Sequence, residues 1–420
     1  MVLAAVLGCL HGCLDAAYAA IKETNDVLET QNRGRVEVLL VCGDFQAVRN
    51  PGEDLVSMAV PPKYRAMQDF HKYHSGTAVA PVLTIFVGGN HEASNHLSEL
   101  PHGGWVAPNI YFLGHAGVVR YKGVRIAGIS GIYKPHDYPK GRYESAPCDN
   151  DSIRSVYHTR RFDVWRLKQL CASDRLRVDA VQPRRPVDIM LSHDWPRGVW
   201  NHGDHARLVR AKPFLRDDMQ TNRLGSPPCW ELLQTLRPRY WFSAHLHCKF
   251  AAIVPHTANV GTSTRFLALD KCLPGRDFLQ IVEVDGDGDG DGSASAGDGL
   301  EYDLEWLAVV RSCAKFGSTS RGEHVLPEGG TTRTGPLDDD DAAVCTQFVD
   351  GSVRIPPMPE DARAREATAQ TRALLQRLGL WNASGGSSGA TIVAAGDVAD
   401  PNEFSLDNDS TDEELSLDDM

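Results

Sequence analysis

The last thirty residues, 391–420, hold ten Asp and Glu and not one Lys or Arg. A stretch that acidic and that poor in apolar side chains cannot bury enough surface to offset the entropy of ordering it, so 381–420, Gly/Ser-rich and then acidic, is expected to be a disordered tail. The ten cysteines show no paired spacing, and the opening apolar run, VLAAVL, lacks the basic flank and cleavage site of a secretory signal. Both absences argue against a disulfide framework and for an intracellular protein with reduced thiols. No apolar run approaches the ~20 residues of a membrane-spanning helix, so no membrane partner is expected.

What is present is a large apolar fraction, 42% of 420 residues, enough for a substantial core. The net charge of −12 is unevenly divided: residues 1–280 carry 34 Lys+Arg against 26 Asp+Glu, and residues 281–420 carry 9 against 29. A net-basic front permits a polyanionic substrate, which the acidic rear would repel.

Up to residue 284 the pattern is α/β. Apolar, β-prone runs occur at 2–7, 36–42, 82–87, 124–130, 187–192, 240–244 and 278–284, and helical periodicity separates several of them, as at 15–31 and 156–171. Alternating Asp and Gly at 285–299 read as a flexible linker, since the stretch lacks EF-hand spacing and the closing Glu. Residues 300–316 read as a helix or a strand–helix unit, 317–341 as loop, and 359–380 as a helix with Pro359 near its start and Gly379 near its end.

Five of the apolar runs end in residues that can bind a metal. The first is followed by Cys9 and His11, the second by Asp44, the third by Asn90, His91 and Glu92, the fifth by His193 and Asp194, the sixth by His245 and His247. Ligands of an open α/β sheet bind beyond the carboxyl ends of its strands, so this repetition points to a metal centre where the ends converge. Cys9/His11 and His245/His247 are i,i+2 pairs, which in extended chain would face the same way. Mixed imidazole, carboxylate and amide donors suit Mn²⁺, Fe²⁺ or Zn²⁺. The opening motif GCLHGCLD also contains Cys13, which falls past the strand near the next helix and reads as a bystander.

The order of these motifs, C-x-H, GD, GNH, H and AHLH, resembles the calcineurin-like metallophosphoesterases over about residues 1–250. That resemblance implies a β-sandwich flanked by helices and one or two divalent ions. One ion would be held by Cys9, His11, Asp44 and His247, the other by Asp44, Asn90, His193 and His245, with Asp44 shared. Two departures narrow the family. Cys9 stands where these enzymes usually have Asp, and GDFQAVRN lacks the usual acidic continuation. Together with PVLTIFVGGNHEASNHLSELPHGGWVAPNIYFLG, GVRIAGISGIYKPHDY, LSHDWPRG and YWFSAHLHCKFAA, they closely resemble the intron lariat debranching enzymes across most of 1–284. LEYDLEWLAVVR and TRALLQRLGL resemble that family's C-terminal domain more loosely, over 300–380.

The resemblance implies hydrolysis of the 2′–5′ phosphodiester at the branch point of lariat RNA by metal-activated water, with His91 as proton donor to, or stabiliser of, the leaving oxygen. Glu92, Asp15 and Asp194 are expected to orient ligands or backbone. Residues 132–161 interleave aromatic and basic side chains and resemble the family's lariat-recognition loop, with Tyr133, Lys134, His136, Tyr138, Lys140, Arg142 and Tyr143 as candidate RNA contacts. Arg184–Arg185, in a surface insertion at 172–186, is a weaker candidate. The substrate implies a nuclear location and spliceosome-associated partners. The chain lacks the RGxxxDRG run expected of a protein phosphatase of this fold, and it has a competent donor at every ligand position, unlike a binding module that has lost its metal.

Overall fold

VLAAVL contains no polar residue, and all six of its side chains are buried, which only a strand covered on both faces allows. The computed structural model describes residues 1–171, 186–256, 262–285, 299–327, 353–359 and 366–381. Within them the chain forms two sheets. The first contains β1 (Val2–Leu7), β2 (Val38–Val41), β3 (Leu83–Phe86), β4 (Gly104–Ala107), β5 (Ile110–Phe112) and β12 (Leu279–Val284), in the order β12-β1-β2-β3-β5-β4. The second contains β6 (Ala116–Tyr121), β7 (Val124–Ile129), β8 (Ile189–Ser192), β9 (Tyr240–Ser243), β10 (Phe250–Pro255), β11 (Ser263–Ala268) and β13 (Leu300–Tyr302), in the order β10-β11-β9-β8-β7-β6-β13.

The centre of each sheet is parallel: β1, β2 and β3 run together, as do β7, β8 and β9. Antiparallel pairs such as β1–β12 and β10–β11 close the flanks. Strand alternation then sorts the side chains into three layers. Val6, Leu40 and Ile85 of the first sheet meet Ile126, Leu191 and Phe242 of the second in the middle of the sandwich. Leu3, Ala5 and Leu7 face outward onto Ala17, Tyr18 and Ile21 of the helix Leu14–Thr30. Ala127 and Met190 of the second sheet pack on the helices Arg161–Lys168, Pro227–Leu236, Leu304–Cys313 and Ala367–Arg377. This is the expected β-sandwich flanked by helices.

The C-terminal segment is built into the same body. β13 pairs antiparallel with β6. Asp303, fully buried, caps the helix Leu304–Cys313 through the Trp306 N–H (3.0 Å) and accepts two bonds from the Arg125 guanidinium at 2.8 Å. The strand–helix reading of 300–316 is therefore borne out in order. The helix expected from 156 starts only at Arg161, because Arg160 is extended (φ −105, ψ 148). Most of the 285–299 linker, Arg184–Arg185, the start of the 359–380 helix and the tail beyond 381 lie outside the described residues. Among the described residues no helix is long and apolar enough to cross a membrane.

Candidate metal centre

Parallel strands deliver their carboxyl ends to one edge, so the residues after β1, β2, β3, β8 and β9 meet there. The Cys9 thiol, the His11 and His247 imidazoles and the Asp44 carboxylate place one donor atom each within 4.8 Å of one another. His11 Nε2 lies 3.2 Å from His247 Nε2 and 3.7 Å from Asp44 Oδ2. Cys9 Sγ accepts the His245 backbone N–H at 3.2 Å. On the other side of Asp44, His193 Nε2 is 3.3 Å from Asp44 Oδ1 and 3.0 Å from Asn90 Oδ1, and the His193 and His245 rings are 4.9 Å apart.

The chemistry of this second group argues for a cation. His193 Nδ1 lies 2.9 Å from the Cys42 carbonyl, an acceptor, so Nδ1 carries the proton and Nε2 presents a lone pair. Nε2, Asn90 Oδ1 and Asp44 Oδ1 are then three acceptors crowded together, an arrangement that a shared positive charge relieves. The residues thus fit one or two divalent ions, with Asp44 lying between the two donor groups.

Backbone geometry makes this crowding possible. His11, Asp44, Gln46, His245 and His247 all have positive φ, from +46 to +66. Left-handed non-glycine residues cost of order 1–3 kcal/mol each and persist only where the surroundings over-determine them. The extended-chain reading of the i,i+2 pairs is corrected here: each pair lies past its strand end, and left-handed turns aim the side chains. His245 lies against His193, while His247 lies against His11. Gly43 and Gly89 are required by close approach. A Cβ on Gly43 would sit 2.3 Å from His193 Nδ1, and one on Gly89 would sit 2.2 Å from Asp44 Oδ1.

Electrostatics suit ligation. Burial alone would raise the Asp44 carboxyl, but His193, His91 and His11 outweigh it and hold the group well below the usual carboxylate range. Burial and the neighbouring His11 bring His247 down to about 3, and burial and His193 push His245 well below its ordinary value. Both imidazoles are therefore neutral at neutral pH, with lone pairs available. Burial and the Asp44 charge push the Cys9 thiol well up, so an ion that takes Cys9 as a ligand displaces its proton.

His91 is half-buried; its backbone N–H donates to Asp44 Oδ1 at 2.9 Å, and its ring meets the His11 ring edge-on at 5.4 Å. Glu92 turns away from the donors and accepts the N–H groups of Phe45 (2.8 Å), Gln46 (2.9 Å) and Gly89 (2.8 Å), tying the Asp44 and Asn90 loops together. Burial and Asp44 raise its carboxyl to about 8, against those three N–H donors. Asp194 accepts the N–H groups of Trp195 and Tyr133, and Asp15 binds Lys72 and Tyr73. Cys13 stands at the start of the helix Leu14–Thr30, its thiol 3.6 Å from the His11 carbonyl and outside the donor cluster.

Sequence reasoning missed Gln46, whose Nε2 is 3.2 Å from His11 Nδ1, and the Cys42 carbonyl that orients His193. Gln46 occupies the place where an acidic continuation was missing, which was the available signal. In the 132–161 loop, Tyr133 packs edge-on to Tyr138 (5.4 Å) with the Arg197 guanidinium 5.9 Å over its ring, and the His136 side chain is 68% exposed. Lys140 binds Asp137 (2.9 Å) and lies 5.8 Å over the half-buried Tyr143 ring; Lys134 is half-buried. Arg142 is turned inward, onto Asp163 (2.8 Å) and the Val156 carbonyl (3.1 Å).

A two-sheet sandwich whose strand ends gather thiol, imidazole, carboxylate and amide donors defines a class, and residues 3–249 match the calcineurin-like phosphoesterases. Residues 261–382 match the lariat debranching enzyme C-terminal domain. Over 312 residues the chain is 55% identical to the lariat debranching enzyme of Homo sapiens, covering 73% of this chain and 53% of that one. It is 52% identical over 328 residues to that of Gallus gallus (77% and 57%) and 51% identical over 314 residues to that of Arabidopsis thaliana (75% and 68%). The chain belongs to the lariat debranching enzyme family of the calcineurin-like phosphoesterases. It spans just over half the length of the human and chicken proteins.

Proposed function

We propose that this chain hydrolyses the 2′–5′ phosphodiester at the branch point of excised intron lariat RNA, converting it to linear RNA. The observation that carries the reading is the donor cluster Cys9–His11–Asp44–His247 at the strand ends, with a thiol as its first member, in a chain of this family. Cys9, His11, Asp44 and His247 would hold one ion, and Asp44, Asn90, His193 and His245 a second. A soft thiol among harder donors favours Fe²⁺ or Zn²⁺ at the first position, with Mn²⁺ suited to the second. When bound, such ions activate the attacking water as Lewis acids and neutralise charge on the phosphoryl oxygens.

The protein's own groups do the rest. Glu92 fixes the two loops that carry Asp44 and Asn90, so the donors need little rearrangement. His91, tethered through its backbone to Asp44, gives a proton to the departing 2′-oxygen, a strongly basic leaving group; such donation contributes about 10²–10⁴-fold. Tyr133, Lys134, His136 and their neighbours in the 132–143 stretch stack on unpaired bases and neutralise phosphates around the branch. This substrate supports a nuclear location for the protein, alongside spliceosome-associated factors. The test is cleavage of a synthetic branched RNA with Fe²⁺, Zn²⁺ or Mn²⁺. The 2′–5′ bond should break while 3′–5′ bonds survive, and equal cleavage of linear RNA would refute the proposal.

A further inference from the structure

A groove of about 400 Å³ opens beside the metal centre, beginning at His247. Its cations come from three separate segments: Arg207 and Lys212 from the helix His205–Ala211 and the residue after it, Lys249 from the residue before β10, and Arg276 from the turn before β12. The carboxylates along it are already engaged. Asp204 accepts the Arg207 backbone N–H (2.9 Å). Asp270 accepts the Lys271 N–H (2.7 Å) and Arg276 Nη1 (3.3 Å), and Asp277 lies 3.7 Å from Lys249. Arg207 and Lys212 have no carboxylate partner among the described residues. Phe250, the aromatic residue that lines the groove, is buried.

We infer that this groove binds the sugar–phosphate backbone of one arm of the branched RNA. The inference rests on the debranching activity proposed above and assigns a track for its substrate. A branch-point ribose sends out three strands, so a site selective for branches needs tracks on more than one side. The 132–143 loop reaches the centre from the His193 side, where the Tyr133 N–H bonds Asp194, the residue after His193. The groove leaves from the His247 side, in the other donor group. Asp44, common to both groups, lies between the two tracks. The groove's lining has ammonium and guanidinium groups and no exposed ring (Phe214, exposed beside Lys212, lies outside it), a set that engages phosphate rather than base edges, so this track holds an arm irrespective of its sequence.

The test uses an Arg207→Ala/Lys212→Ala variant of the full chain, with branched RNAs in which one arm at a time is extended from a minimal branched core. Binding is read by fluorescence anisotropy in a His91→Ala background, and turnover in the parent. The parent should gain affinity when one particular arm is extended. The double variant should lose roughly tenfold of that gain, with a salt slope lower by about 1–2, and should match the parent in kcat and in KM for the minimal core. Unchanged affinity and slope on every arm would overturn the inference, as would equal weakening on all arms and on linear RNA. Arm-specific binding without any 2′–5′ cleavage would refute the debranching reading and leave the groove standing.

Discussion

His96 offers a test of how the site is held in place. It sits in the short helix Ser94–Ser98, 2% exposed, with Nδ1 2.9 Å from the Ala47 carbonyl, in the loop that carries Asp44. Burial, seconded by the Arg49 charge, lowers its basicity to about 3. Below pH 6.5 the unfolded chain therefore takes up a proton that the folded protein refuses, and stability falls with pH down to about 3. The contribution of neutral His96 is complete above pH 6.5. Between pH 7.5 and 5.5 the loss amounts to about 1.4 kcal/mol, a value almost independent of the folded-state pKa so long as that lies below about 5. At about 2–4 °C per kcal/mol for a domain of this size, the melting point should drop by about 3–6 °C on this account.

The matching perturbation is His96→Asn, which keeps an N–H near the Nδ1 position but does not titrate. The assay is denaturant or thermal unfolding of both proteins, without added metal, across pH 5.5–7.5. The difference between the two profiles isolates one group. His102, brought to about 3 by burial, and His115, pushed well below its ordinary value by burial, act in the same direction in both proteins and cancel. Parallel profiles, with the variant as acid-sensitive as the parent, would refute the assignment of His96 as a neutral anchor of the Asp44 loop.

Three further outcomes are expected. Cys9→Asp should move metal preference from Fe²⁺ or Zn²⁺ toward Mn²⁺ or Mg²⁺, seen as bound-metal content alongside branched-RNA cleavage; an unchanged preference would remove the thiolate from the ligand set. Glu92→Gln sets an amide NH₂ against one of three backbone N–H donors, so metal affinity measured by calorimetry should fall about 10–100-fold, and an unaffected affinity would show that the two loops hold themselves. Arg125→Met leaves the fully buried Asp303 short of its bidentate partner and should cost about 3–5 kcal/mol by denaturation, whereas a loss under about 1 kcal/mol would mean that the Arg120 contact suffices.

The strands that carry the site were legible because both their faces are covered. Such strands read as apolar runs; all seven runs became strands, although β12, interrupted by Gln280 and Glu283, is mostly half-buried. β10, FAAIVP, is apolar throughout although its side chains alternate between buried and exposed, so its letters do not show which face is covered, and β13 was legible only as one of two readings of 300–316. The donor residues were legible for a related reason: polar side chains at the ends of buried strands stand out by type. The shaping of the centre was not, because it resides in the backbone. Nothing in the letters H-x-H specifies left-handed conformations at His245 and His247, nor does Asp44 announce its φ of +46. These conformations decide which donor meets which, and so the extended-chain argument paired His245 with His247 by face when the structure sends them to different partners. The same gap explains Gly43 and Gly89: their role is the absence of a Cβ where His193 and Asp44 close in. The strain is held by contacts distant in sequence, with Glu92 and His96 reaching back some fifty residues to Phe45, Gln46 and Ala47. Cutting those contacts should therefore loosen the donors before any donor is itself replaced.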